Sequence, residues 1–132
     1  MVKSMQPSDK EMIIVISDFL EQGLADNIVS MFKSVSTYYP LIGEILKDER
    51  FAVRMGVLLV FEELVTAQVE EVSLAIPVLK PLLAPDTPPY VRGEAVTVLG
   101  TIATEESLGL IAPLVDDDDP QVAEIARDFM EL

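Results

Sequence analysis

The sequence contains no cysteine and no histidine among its 132 residues. Without cysteine, the chain has no disulfide framework, no thiolate nucleophile and no zinc–thiolate site. Without histidine, it lacks the usual general base near neutral pH and the commonest metal ligand. These two absences argue against an enzyme, and we expect neither a metal nor a cofactor.

Basic residues are also scarce: nine lysines and arginines stand against 23 acidic residues, and the net charge is −14. The imbalance is greatest in residues 67–132, where three basic residues face 13 acidic ones. Such a surface repels phosphate groups, so nucleic acid and anionic membranes are poor partners. We therefore expect the chain to bind protein rather than nucleic acid or membrane.

Long apolar runs are absent too, and no uninterrupted run has the length of a membrane span. Pro7, Ser8 and Asp9 precede the first apolar stretch and break any signal-peptide pattern. A cytoplasmic protein is the expectation from these features.

Hydrophobic residues make up 50% of the chain, and in the stretch Phe51–Thr66 they recur at the spacing of an α-helix. Counted from Val53, they lie at offsets 0, 3, 4, 7, 8 and 11, the pattern of a helix with one buried stripe. The same spacing returns in residues 91–102 and 122–130. Because the first copy is apolar on nearly every side, we expect it to be the most buried helix.

Each copy follows a shorter helical stretch and a tight acidic turn, so the chain divides into helical repeats. Thr104 and Asp119 are placed to cap helices, and so is Thr87 in front of Pro88. No stretch alternates with period two, which predicts an all-α fold. We predict one domain over 1–132, with a lead-in at 1–6, an atypical N-terminal capping pair at 7–37, and repeats at 38–67, 70–103 and 104–132.

Three segments share a pattern of leucines, an acidic turn, Val-Arg and a small residue: ILKDERFAVRMGVLLVFEEL, LLAPDTPPYVRGEAVTVLGTI and LVDDDDPQVAEIARDFMEL. They resemble HEAT repeats, and are most similar to the short variety of phycobilin-lyase-type proteins. The resemblance covers residues 38–132 well and 7–37 weakly. It implies a right-handed α-solenoid of about eight helices in antiparallel pairs. It is nearly silent on function, because this fold hosts many roles.

The resemblance also implies a ladder in which the arginine after each valine reaches an aspartate in a turn. Here the arginines are Arg54 and Arg92. The expected acceptors are Asp48 and Asp86, with Asp117 as a further candidate. The third copy departs from the pattern, because Ala123 stands at the arginine position, so the ladder should end before the last unit.

In helical repeats the second helices line the concave side. Offsets 2, 5, 6 and 9 of each copy are expected there and predict a face that grades from apolar to charged. The candidate binding residues on this face are Met55, Leu58, Leu59, Glu62, Val96, Thr97, Arg127 and Asp128. Two interpretations stay open: the N-terminal helices cover the leucines, or the leucines form an apolar groove for a peptide or partner helix.

Two further motifs carry alternatives. The acidic run at 116–119 suits calcium or magnesium by its oxygens, but helix capping and solvation explain it better. Tyr38, Tyr39 and Tyr90 form either an aromatic contact patch or ordinary packing at helix starts, and packing is favoured.

The main functional hypothesis is a non-enzymatic interaction or scaffold module that binds a protein or peptide on its concave face or open end. It rests on the repeats and on the missing catalytic residues. The alternative is an accessory or regulatory domain of a larger enzyme or lyase-like complex. No cysteine or histidine here could hold a chromophore, which weakens that alternative.

Overall fold

The computed structural model describes residues 7–131, and within them the backbone is helical with no β-strand. Eight α-helices follow one another there: α1 (Pro7–Glu21), α2 (Ala25–Ser34), α3 (Ile42–Ile45), α4 (Phe51–Thr66), α5 (Ile76–Leu79), α6 (Pro89–Ile102), α7 (Glu105–Ile111) and α8 (Pro120–Met130). Shorter 3₁₀ segments extend α3, α5 and α7: Ser36–Leu41, Glu70–Ala75, Lys80–Leu83 and Ala112–Asp116. The predicted all-α class is confirmed, whereas the lead-in expected at residues 1–6 lies outside the described residues.

None of these helices is both long and apolar enough to cross a membrane. The longest, α4, has 16 residues.

Proline explains why the first helix of each repeat is divided into short pieces. Pro40 lies inside the segment Ser36–Leu41, and Pro77, Pro81 and Pro113 each stand second in a short helical piece. Proline has no N–H to donate, and its ring clashes with the carbonyl four residues earlier. The first helix of each repeat is thus a series of short turns rather than the single helix that the spacing predicts.

Helix starts agree with the sequence at two of three positions. Thr104 caps α7 in a reciprocal capping box with Ser107, and Asp119 accepts hydrogen bonds from the first N–H groups of α8. Thr87 does not cap α6. The helix begins one residue later than expected, with Pro88 at the cap position and no side-chain cap bond.

Helix α6 lies between α4 and α8 and contacts both, while α1 and α2 pack against α4. Glycines permit the closest approaches: Gly56 faces α1, and Gly93 and Gly100 face α8. A Cβ at Gly100 would come within 2.3 Å of the ring of Phe129. The contact between α6 and α8 therefore requires a residue without a side chain at this position.

The buried stripe predicted for α4 is confirmed, because all six of its expected positions are buried: Val53, Gly56, Val57, Val60, Phe61 and Leu64. The expectation that α4 is the most buried helix is wrong. Nine of the 14 residues of α6 are buried, against seven of 16 in α4. Both helices have neighbours on two sides, but more of α4 stays open to solvent: Phe51, Ala52, Leu59, Glu62, Glu63 and Thr66 are exposed.

Four helices end in the same way. A left-handed residue follows α1, α4, α6 and α8 within two positions: Gly23 (φ 80°), Gln68 (φ 61°), Ala103 (φ 56°) and Glu131 (φ 59°). Residues with a Cβ adopt this conformation at a cost of roughly 1 kcal/mol. The four helices therefore share one type of C-terminal ending.

Tyr39 lies in the centre of an aromatic cluster and is fully buried. Its ring meets Phe32 edge-on at 4.9 Å between centroids, and Phe61 edge-on at 6.2 Å. Its hydroxyl has no hydrogen-bond partner among the described residues. Burial, together with the charge of Glu71, raises the pKa of Tyr39 to about 12.

Gly100→Ala should destabilise the fold by about 2 kcal/mol, because the ring of Phe129 must leave its place on α6. Gly109→Ala is the control, because a Cβ at this position in α7 meets nothing within 4 Å. Alanine favours a helix over glycine by about 0.5–1 kcal/mol, so the control should be stabilised. Chemical denaturation followed by circular dichroism should give opposite signs for the two variants. A Gly100→Ala variant as stable as the wild type would contradict this packing.

Tyr39→Phe should leave stability at neutral pH unchanged or raise it by up to about 1 kcal/mol, because it removes an unpaired buried hydroxyl. Tyrosine in the unfolded chain ionises at about pH 10. The folded pKa is higher, so wild-type stability should fall as pH rises from about 10 towards 12. Denaturation at neutral pH and at about pH 11 should show that Tyr39→Phe lacks this loss. Tyr38→Phe should retain it, and an equal alkaline loss in both variants would refute the assignment.

Candidate functional site

Two buried arginines occupy equivalent positions near the starts of α4 and α6 and bind the turns that precede these helices. Arg54 donates from Nη1 to the main-chain carbonyls of Asp48 and Glu49, at 2.9 Å each. Arg92 donates in the same way to the carbonyls of Pro85 and Thr87. Each arginine thus closes the turn of its own unit.

The same arginines also reach the next unit. Arg54 Nε donates to Glu94 Oε2 in α6 at 3.1 Å, and Arg92 Nη2 donates to Asp117 Oδ2 at 2.9 Å. The arginine side chains are 10% and 6% exposed, so both ion pairs are largely removed from water. One guanidinium therefore couples a turn to a later segment of the chain in each case, α6 for Arg54 and the turn before α8 for Arg92.

The carboxylates that meet the arginines differ in part from those the resemblance implies. The side chain of Asp48 is bound by Arg50 rather than Arg54, and Asp86 is exposed and pairs with neither buried arginine. Asp117, the further candidate acceptor, does accept a hydrogen bond from Arg92. Ala123 is buried in α8 and continues no ladder.

Sequence reasoning missed Glu94, although a signal was present. Glu94 stands at a position of the apolar stripe where the first copy has Gly56 and the third has Ile125. A charge on a buried stripe needs a buried partner. The position therefore identifies Glu94 as the partner of a buried cation.

The ion pairs hold two carboxyl groups in their charged form. Burial alone would raise the pKa of Asp117, but hydrogen bonds from Arg92 and from the Asp119 N–H outweigh it and hold the pKa below its usual value. Hydrogen bonds from Arg50 lower the pKa of Asp48. Arg50 also reaches α1, through Asp18 at 3.1 Å and Glu21 at 2.8 Å.

The expected concave residues of α4 are only partly covered by their neighbours. Met55 and Leu58 are half-buried, Leu59 is 54% exposed and Glu62 is exposed. Phe51, which the sequence reasoning missed, lies one turn before Met55 and is 65% exposed. Because residues four apart share a side of a helix, these apolar side chains form one row. We call Phe51, Met55, Leu58 and Leu59 the α4 strip.

The α6 part of the predicted face is not a free surface. Val96 is fully buried, which corrects the expectation, because α8 covers this side of α6 at Gly93 and Gly100. Thr97 is half-buried and donates its hydroxyl to the Gly93 carbonyl at 2.9 Å.

Arg127 and Asp128 are exposed on α8, with Glu124 beside them. Helix α6 lies between these residues and α4. The predicted site residues therefore fall into two separate groups rather than one graded face.

Tyr90 and Phe51 both lie close to the Arg54 guanidinium. The Tyr90 ring centroid is 4.6 Å from Arg54 Cζ, and the Phe51 centroid is 5.8 Å away. Tyr90 is 45% exposed, whereas Tyr39 is buried in the core. The favoured packing interpretation therefore fits Tyr39, while Tyr90 is both packed and accessible.

Three depressions adjoin one another: the first lies between the short helical segments at residues 40–47 and 77–82, and the other two lie beside the turns. The first, of 280 Å³, contains Gly43 and Pro81, and the second, of 290 Å³, lies beside Tyr90. The third, of 470 Å³, is lined by residues of the turns 85–89 and 116–118. Lys47 borders the first two, and the residues shared by the last two are Asp86, Thr87 and Pro88. We call this series the turn-edge groove.

A larger cleft of 680 Å³ lies at the other ends of α4 and α6. Three valines and Ile102 line it together with Gln68, Ser73 and Thr104, and Glu70 is its one carboxylate. A single carboxylate without an acid–base partner does not make a catalytic pair.

The acidic run serves the backbone and Arg92. Asp119 accepts from the N–H groups of Gln121 and Val122 at 3.0 and 3.1 Å. Asp117 is held by Arg92, and Asp116 and Asp118 point to solvent. Within residues 7–131, no three acidic side chains are grouped so that they could hold a metal ion.

Asp117→Asn should lower the free energy of unfolding at neutral pH by about 2 kcal/mol, because Arg92 loses its charged partner. The pKa of Asp117 is depressed in the fold, so its stabilisation is present above about pH 4 and lost as pH falls through the folded pKa. The difference between variant and wild type should therefore shrink below about pH 4 in denaturation experiments. Asp118→Asn, at the exposed neighbour, should change stability by less than about 0.5 kcal/mol. A pH-independent difference for Asp117→Asn would contradict the ion-pair account.

Comparisons of the chain with protein-family models, with curated proteins and with solved structures return no match. The function of the chain has to follow from its own contacts, burial and charges.

Proposed function

We propose that this chain is a non-enzymatic protein-interaction module built as a HEAT-like, right-handed α-solenoid. Three regularities support the repeat architecture. Helices α4, α6 and α8 carry the same apolar spacing. Arg54 and Arg92 bind the preceding turns in the same way. The same left-handed exit follows these three helices and α1.

The observation that carries the binding role is the α4 strip. Phe51 and Leu59 are more than half exposed although they belong to a well-packed helix. Covering apolar surface stabilises a complex by roughly 25 cal/mol per Å². A row of side chains at helical spacing matches the way in which helices and grooves recognise each other. The α4 strip is therefore the proposed contact for a protein partner.

The acidic composition supports the same role. Exposed Glu62 lies on the side of α4 that carries the strip, and the chain as a whole has a net charge of −14. Charges around an apolar contact favour partners of opposite charge. They contribute more to the choice of partner than to the affinity of the complex. A partner with a basic rim around an apolar patch would be favoured.

Leu59→Glu should abolish capture of the partner while leaving the fold intact, because this side chain is 54% exposed. Leu74→Glu is the matched control, since Leu74 is 46% exposed but lies in the 3₁₀ segment Glu70–Ala75. The tagged chain would be crosslinked in cells, partners identified by mass spectrometry, and the dissociation constant of the purified pair measured for each variant. Leu59→Glu should weaken binding at least about tenfold, and Leu74→Glu by less than about twofold.

Two outcomes would count against the proposed function. One is that no protein is captured by the wild-type chain at any crosslinker length. The other is that the purified pair binds equally well with Leu59→Glu. Thermal unfolding of both variants must match the wild type, so that lost binding is not lost folding.

A further inference from the structure

The turn-edge groove has proline in the wall of each depression, together with polar and charged residues. Pro77 and Pro81 line its first depression, and Pro88 lines both the second and the third. The buried guanidinium groups of Arg54 and Arg92 fix the turns beneath by binding their carbonyls. A surface that is already ordered loses little conformational entropy when it binds.

The rim of the groove carries carboxylates that the chain does not neutralise. Asp86, Asp116 and Asp118 are exposed. None of their carboxylates forms a hydrogen bond or an ion pair with another described residue. The cations at the groove are already partnered: Lys47 lies 3.3 Å from Glu44, and Arg92 is bound to Asp117. The uncompensated charge at this edge is therefore negative.

Tyr90 supplies an aromatic wall to the second depression. Its ring stacks with the Arg54 guanidinium, and the side chain remains 45% exposed at the groove. The face of a phenol ring attracts ammonium and guanidinium groups and the alkyl stems that carry them. The wall and the rim therefore select the same chemistry.

We propose that the turn-edge groove binds an extended, basic segment of a partner protein, with lysine or arginine side chains directed to Asp86, Asp116 and Asp118. Successive depressions suit an extended chain, whose side chains follow one another along its length. This inference rests on the proposed function and names the chemistry of a second contact. The groove and the α4 strip adjoin at Arg54, which contacts both Tyr90 and Phe51.

The test uses the purified chain and a fluorescein-labelled decapeptide of alternating lysine and proline, which is basic and extended. Fluorescence anisotropy at low ionic strength should show saturable binding. The same peptide with glutamate in place of lysine should not bind. Failure of the lysine peptide to bind would overturn the proposal.

A matched pair of triple variants separates the groove from the general negative charge. The first variant combines Asp86→Asn, Asp116→Asn and Asp118→Asn. Its affinity for the lysine peptide should be about tenfold lower, because three exposed ion pairs are lost. Glu124→Gln/Asp128→Asn/Glu131→Gln removes the same charge from the outer face of α8 and should change binding by less than about twofold. An equal loss in both variants would mean non-specific attraction and would overturn the groove assignment.

Two single variants test the walls. Tyr90→Ala should lower the affinity for the lysine peptide several-fold. Tyr90→Phe should leave it unchanged, because the ring face rather than the hydroxyl makes the contact. Lys47→Glu should tighten binding, because it adds a carboxylate to the groove and leaves the Glu44 carboxylate without its partner. Unchanged affinity in both Tyr90→Ala and Lys47→Glu would place the peptide elsewhere.

Failure of this proposal and failure of the proposed function give different results. If the groove variants leave the peptide unaffected while Leu59→Glu still abolishes partner capture, the interaction role stands and only the basic segment is wrong. If no partner is captured but the peptide binds as expected, the groove stands as a peptide site and the role of the α4 strip is wrong.

Discussion

The burial of two arginines is the constraint on which the packing of α4, α6 and the turns beside them depends. A guanidinium taken out of water must keep its charge balanced and its N–H groups satisfied. Arg54 and Arg92 meet this demand with carbonyls of their own turn and a carboxylate of the following unit. The shape of each turn and its contact with the later segment therefore cannot change independently, and the groove beside these turns takes its rigidity from them.

Local spacing predicted the long helices well, because the buried side of a helix follows from its own residues. It could not predict which side meets the next unit. Val96 was expected at the surface and is buried, since the small residues Gly93 and Gly100 let α8 approach on that side. The partner of Arg54 was missed for a related reason. Glu94 lies 40 residues away and becomes a neighbour only once α6 packs against α4.

The enclosure of α6 and the partial exposure of α4 have one origin. Helix α6 lies between α4 and α8, whereas α4 lies between α6 and the pair formed by α1 and α2, which leaves part of the α4 surface open. The α4 strip is the result of this incomplete cover. Sequence alone identified Leu59 as a candidate but not Phe51, because Phe51 lies outside the repeating offsets and its exposure depends on the neighbouring turns.

The unpaired carboxylates of the turn-edge groove also have a kinetic consequence. A rim of uncompensated negative charge on a chain of net charge −14 creates a field that extends well beyond the contact distance. A basic partner would be drawn towards this edge before any apolar contact forms, and its association rate would fall steeply with added salt. Dissociation would depend instead on short-range contacts with Tyr90 and the proline walls. The rim would thus set how quickly the partner arrives, and the walls how long it stays.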